Sequence, residues 1–120
     1  MSATRVEREI GHAELPAVID RYVVAHNAKN VDTAIASFTT DAVVTDNGLT
    51  HRRLQNIKAW LGTSSTEWTY TSTPTVFRKT DDAHYVVVQH VVGDFPGGVV
   101  DLRYRFTMAG DLVAELVIAP

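Results

Sequence analysis

Asp46 closes the stretch FTTDAVVTDNG, Phe38 to Gly48, in which Ala42 to Thr45 are apolar or β-forming. A carboxylate at the end of a buried strand has two readings. Asp-Asn-Gly is strong turn chemistry, so the acid can simply open a surface turn. It can instead face an apolar interior, where desolvation raises its pKa and makes it a better base near neutral pH. Proton abstraction beside a carbonyl also requires a hydrogen-bond donor at the oxygen that gains charge. Tyr22 sits in an apolar helical stripe and can supply one, or it can be a core tyrosine whose hydroxyl reaches water or a backbone carbonyl. His26 follows one helical turn later, next to Tyr22. It is placed to tune the phenol, orient a ligand or move a proton. It can equally be a structural histidine near a helix C-terminus, where the dipole favours its charged form.

The remaining polar candidates are less specific. His51 lies a few residues after Asp46, at a pocket mouth or in an exposed loop. His90 depends on strand parity: His84, Val86, Val88 and His90 share one face, and Tyr85, Val87, Gln89 and Val91 the other. No H-x-x-x-H or H-x-E spacing brings histidines together as metal ligands. Leu102, Tyr104, Phe106 and Met108 form an apolar face; Asp101, Arg103, Arg105 and Thr107 form a polar one. A small core tolerates little buried charge, which favours the polar face outside; with the sheet flipped, Asp101 and Arg103 would line the pocket instead. Phe38, Trp60, Trp68 and Tyr70 read as core and pocket wall together, suited to a flat, largely apolar ligand.

These side chains need elements to hold them. Pro16 suits a first helical turn, and Leu15, Val18, Ile19, Tyr22, Val23 and His26 follow one helical face. Asn30 can cap a short second helix carrying Ala34, Ile35 and Phe38. The strand ending in Asp46 follows, then a turn at Asn47-Gly48. A third helix is predicted from about Arg52 to Leu61, with Gly62 closing it. From Thr66 onward Thr, Tyr, Trp and Val favour strands. Pro74 breaks the first of these or sets it at an edge. Turns at 80–83, 95–98 and 109–111 separate four strands. Helices followed by an antiparallel meander imply an α+β fold with helices on one face of a curved sheet.

The chain has 120 residues, which suits one domain. Apolar residues make up 45% and charged residues 21%, which places it among globular proteins. A net charge of -3 gives no reason to expect a nucleic-acid or anionic-membrane partner. With no cysteine, disulfides, thiolate nucleophiles and zinc-thiolate sites are excluded. The opening MSATRVEREIGHAE is polar and lacks the apolar core of a signal peptide, so a cytoplasmic location is expected.

The element order, with Tyr22, FTTDAVVTD and NIKAWL placed on it, resembles the nuclear-transport-factor-2-like superfamily of conical α+β barrels. Over about residues 15–118 it is most similar to the SnoaL-like and ketosteroid-isomerase branches. The stretch VIDRYVVAHNAKNVDTAIASFTTDAVVTD resembles the start of ketosteroid isomerase without a gap. GDFPGGVVDLRYRF with LVAELVIAP is similar to segments common in SnoaL-like proteins. The resemblance implies a cone-shaped antiparallel sheet with three N-terminal helices packed on its concave face. It also implies Tyr22 as oxyanion donor, Asp46 as general base and Trp60 as pocket wall. It turns the Gln89 face of its strand inward and leaves His90 outside. Leu102 falls where the family carries a protonated carboxylic acid as second donor. Asp101 is one residue off, and a slip of one turns a strand side chain to the other face.

The expectation is thus a polar lead-in over 1–14 and a single domain over 15–120. Its expected job is acid/base proton transfer, without cofactor or metal, on a hydrophobic carbonyl-containing small molecule, in the manner of an isomerase or polyketide cyclase. Asp46, Tyr22 and His26 would be catalytic, and Phe38, His51, Trp60, Trp68, Gln89 and Leu102 would bind substrate. A homodimer through the outer sheet face is expected, with no nucleic-acid or membrane partner. The alternative is a non-catalytic ligand-binding or dimerisation module of the same fold.

Overall fold

A computed structural model describes residues 6–64 and 69–120. Trp68 lies outside the described residues. A short strand β1 (Arg8–Ile10) and a 3-10 turn at His12–Glu14 precede helix α1 (Ala17–Asn27). Pro16 stands at the α1 N-cap with φ -54°. The helix buries Val18, Ile19, Tyr22, Val23, Ala25 and His26. Just past its end, Lys29 adopts a φ of 59°, which lets the Asn30 N–H reach back to the Ala25 carbonyl at 2.8 Å. Asn30 then caps α2 (Val31–Ile35), its side-chain oxygen accepting from the Thr33 N–H at 3.2 Å.

Strand β2 (Phe38–Asp46) and strand β3 (Leu49–Arg52) form a hairpin. Asn47 and Gly48, at φ 51° and 81°, make its two-residue turn. Helix α3 (Leu54–Ser64) runs through Gly62, which keeps a negative φ and so does not close the helix as expected. Four long strands follow: β4 (Tyr70–Asp81), β5 (His84–Gly93), β6 (Val99–Ala109) and β7 (Leu112–Ala119). β1 and β3, each four residues or fewer, add to the five strands that the sequence pattern predicts. Segments so short carry too little alternation to read.

The seven strands form one curved, unclosed sheet in the order β1-β4-β5-β6-β7-β2-β3. All neighbours are antiparallel except β2 and β7, which run parallel. Pro74 stays inside β4 because β1 covers only Phe77–Lys79, so β4 is an edge at the proline, and its register shifts just beyond. Further shifts in β2 and between β6 and β7 help the sheet curl around the helices. The concave face presents Val44, Val87, Phe106 and Leu116, all nearly or fully buried against Ile19 and Ile57. Full burial of each such side chain contributes about 1.5–3 kcal/mol. The convex face carries Asp101, Arg103 and Arg105. This is the α+β cone that the sequence pattern predicts.

Gly93 ends β5 where the chain crosses the start of β4. A Cβ there would stand 2.5 Å from the Thr69 carbonyl oxygen and 2.6 Å from the Tyr70 Cβ, and backbone cannot move aside cheaply. Gly93→Ala is expected to lose about 2 kcal/mol of stability, read as a lower urea midpoint at unchanged slope.

Candidate active site

Strand alternation carries Asp46 inward. Ala42 and Val44 are fully buried on the helix-facing side of β2, and Asp46 is the next residue in that row. The Asn47-Gly48 turn begins directly behind it, so the acid both flanks a turn and faces the interior. It lines a cavity of about 570 Å³, within the range of small-molecule sites. The walls come from every layer: His26 of α1, Trp60 of α3, Tyr70 and Ser72 of β4, Val91 of β5, Leu102 and Tyr104 of β6, Ile118 of β7. Phe95 and Pro96, from the turn between β5 and β6, complete it.

The indole N–H of Trp60 donates to Asp46 Oδ2 at 3.0 Å. Asp46 Oδ1 has no hydrogen-bond partner among the described residues. His51 stacks on Trp60, ring centroids 5.8 Å apart, and steadies the indole without lining the cavity.

His26 bridges two phenols, Tyr104 beside it at the cavity wall and Tyr22 behind it. His26 Nδ1 lies 2.9 Å from the Tyr22 hydroxyl, and its Nε2 lies 3.3 Å from the Tyr104 hydroxyl. Burial lowers the His26 pKa to about 4, so the ring is neutral at physiological pH. Burial pushes the Tyr22 and Tyr104 pKa values up, and both stay protonated. The Gln89 amide, which favours the Tyr104 phenolate, offsets only part of that rise. Tyr70 is raised by burial first and then by the negative charge of Asp46.

Of the residues singled out from sequence, Asp46, His26, Trp60, Tyr70 and Leu102 line the cavity. Tyr22 does not: it is fully buried behind His26. Phe38 packs edge-on against Tyr22 at 5.2 Å, in the core rather than the wall. Gln89 is fully buried behind the wall, its Oε1 accepting from Asn27 Nδ2 at 2.7 Å. His90 and Asp101 pair at 2.7 Å on the convex face. Sequence reasoning missed Tyr104 as a polar wall group. Tyr104 alternates with Leu102 and Phe106 and so reads as packing; asking where its buried hydroxyl finds a partner was the available signal. Among the described residues, no group of three or more His, Asp or Glu could hold a metal ion. No described helix is long and apolar enough to cross a membrane.

Solved structures carry the same architecture. A provisionally assigned polyketide cyclase from Sinorhizobium meliloti is 29% identical, covers 92% of this chain and all of its own length, and superposes with a TM-score of 0.84. A protein from Catenulispora acidiphila with a ketosteroid isomerase-like fold, in complex with trimethylamine, is 15% identical over 88% of this chain and 85% of its own, TM-score 0.76. A second provisional polyketide cyclase, from Pseudomonas putida, is 14% identical over 88% and 90%, TM-score 0.71. No protein-family model and no curated protein sequence matches the chain. The fold and its cavity define a nuclear-transport-factor-2-like α+β cone. The structures the chain resembles include proteins named as provisional polyketide cyclases and ketosteroid isomerase-like proteins.

The buried imidazole makes stability depend on pH. His26 titrates near 6.5 when unfolded and near 4 when folded. Between those values only the unfolded chain takes up the proton, so this contribution is complete above about pH 6.5 and is lost as pH falls toward 4. It amounts to about 3 kcal/mol. His26→Gln is expected to remove that part of the slope in denaturation curves measured from pH 7 to pH 4.

Proposed function

We propose that this protein is a small-molecule enzyme that moves a proton on a hydrophobic carbonyl compound, with Asp46 as the base. The observation that supports it is the Asp46 carboxylate, held by Trp60 at the wall of a mainly apolar cavity and opposed by an imidazole and phenols. The names of similar structures, provisional polyketide cyclases and ketosteroid isomerase-like proteins, support the same class.

The chemistry balances without an oxidant or reductant. Asp46 takes a proton from the carbon beside the carbonyl. The C–H electron pair forms a C=C bond, and the carbonyl π pair moves to oxygen, giving an enolate. Returning the proton from Asp46 to a different carbon yields an isomer. Alternatively, the enolate carbon attacks a second carbonyl carbon of the same molecule and closes a ring; the first C=O re-forms, the second carbonyl's π pair moves to its oxygen, and that oxygen takes the proton back from Asp46. The enolate oxygen needs a donor in a dry site, and it faces the side where Tyr22 backs His26. Trp60, Val91, Leu102 and Ile118 keep water from the intermediate.

The test uses 2-acetylnaphthalene, a flat apolar ketone, in deuterated buffer. The protein is expected to speed exchange of the methyl hydrogens, followed by NMR. Asp46→Asn is expected to slow that exchange about 100-fold or more with its unfolding curve retained. Exchange that proceeds undiminished in Asp46→Asn rejects the role.

A further inference from the structure

Hydrogen-bond bookkeeping around Tyr104 fixes which way its proton points. Tyr22 is fully buried, and its hydroxyl has no partner among the described residues other than His26 Nδ1. A buried O–H left without an acceptor costs about 1–3 kcal/mol. The Tyr22 proton therefore goes to Nδ1, which must be the bare nitrogen of a neutral ring. The ring proton is then on Nε2 and is donated to the Tyr104 oxygen.

We propose that Tyr104 is a fixed hydrogen-bond donor into the cavity, oriented by Tyr22 through His26. The ligand that fits presents a bare acceptor oxygen there: the carbonyl of a ketone, ester or quinone. The His26 Nε2–H is directed at the phenol oxygen, so the phenol's own proton is left for the cavity that Tyr104 lines. Each bond polarises the next, which strengthens the last donor in the row. Tyr104 is the group that touches the ligand; Tyr22 and His26 are positioning residues. The inference rests on the proton-transfer reading only for its consequence, stabilisation of an enolate oxygen.

Two measurements test it. The first needs no ligand: ¹⁵N NMR of ring-labelled histidine, with His26 assigned by the signal lost in His26→Gln. At pH 7 the ring is expected to carry its proton on Nε2; a proton on Nδ1 overturns the proposal. The second compares binding of 2-acetylnaphthalene with that of 2-ethylnaphthalene, matched in shape but lacking the oxygen. Wild type is expected to favour the ketone about 10-fold. Tyr104→Phe, which keeps the ring, is expected to bind both alike. Tyr22→Phe, which frees the imidazole to reverse, is expected to reduce the preference without touching the cavity wall. Equal binding of both probes to wild type, or an undiminished preference in Tyr104→Phe, overturns the proposal. Ketone preference without hydrogen exchange rejects Asp46 as base and leaves the donor intact; exchange without preference does the reverse.

Discussion

A neutral imidazole sealed between helix and sheet is the constraint on which the site depends. His26 belongs to α1 and Tyr104 to β6, and their hydrogen bond, with those of Asn27 to β4 and β5, is a polar link in a largely apolar contact. An uncharged ring offers one donor and one acceptor, no more. With a phenol at each nitrogen both are spoken for, and the helix is locked in rotation against the strand. A charged ring would have two donors and would orphan the Tyr22 hydroxyl. Burial keeps the ring uncharged, so the packing that stabilises the cone also sets the polarity of its cavity.

The cone itself supplies the hollow. Register shifts curl the sheet until its strands diverge from the helices at one end. At the narrow end Ile19, Ile57, Phe106 and Leu116 fill the space. At the wide end the same inward rows continue as Asp46, Tyr70, Leu102 and Ile118, with nothing between them but cavity. Core and pocket are one surface, sampled at two depths. Side chains of the pocket are thus held by strands and helices rather than by mobile loops, which suits a site that must keep charge and donor at fixed separation.

Much of this was legible in the residues. The helical stripe through Leu15 and Tyr22 and the alternation through Leu102 and Phe106 are strong periodic signals, and they specify helices on an antiparallel sheet. Asp46 is legible only as a choice between turn and pocket; the buried row through Ala42 and Val44 in the folded strand decides it. Depth was not legible. Tyr22 and His26 share a stripe, yet a small rotation of α1 decides which of them meets the cavity. Leu102, Tyr104 and Phe106 share a face, yet only curvature decides where wall gives way to core. Gln89 and Asn27 are far apart in sequence, and their bond arises only when β5 lies beneath α1. The helix extension past Gly62 and the short strands β1 and β3 likewise depend on tertiary contacts that outweigh local preference.

The parallel pairing of β2 with β7 governs when the pocket comes into being. Asp46 sits opposite Leu49 of the adjoining β3 on one side and opposite Ile118 of β7 on the other. The first neighbour is local and the second lies most of the chain away. Contacts of such long sequence separation impose a heavy loop-closure entropy and form slowly. The floor beneath the carboxylate therefore depends on a strand pairing that no local segment of the chain can supply.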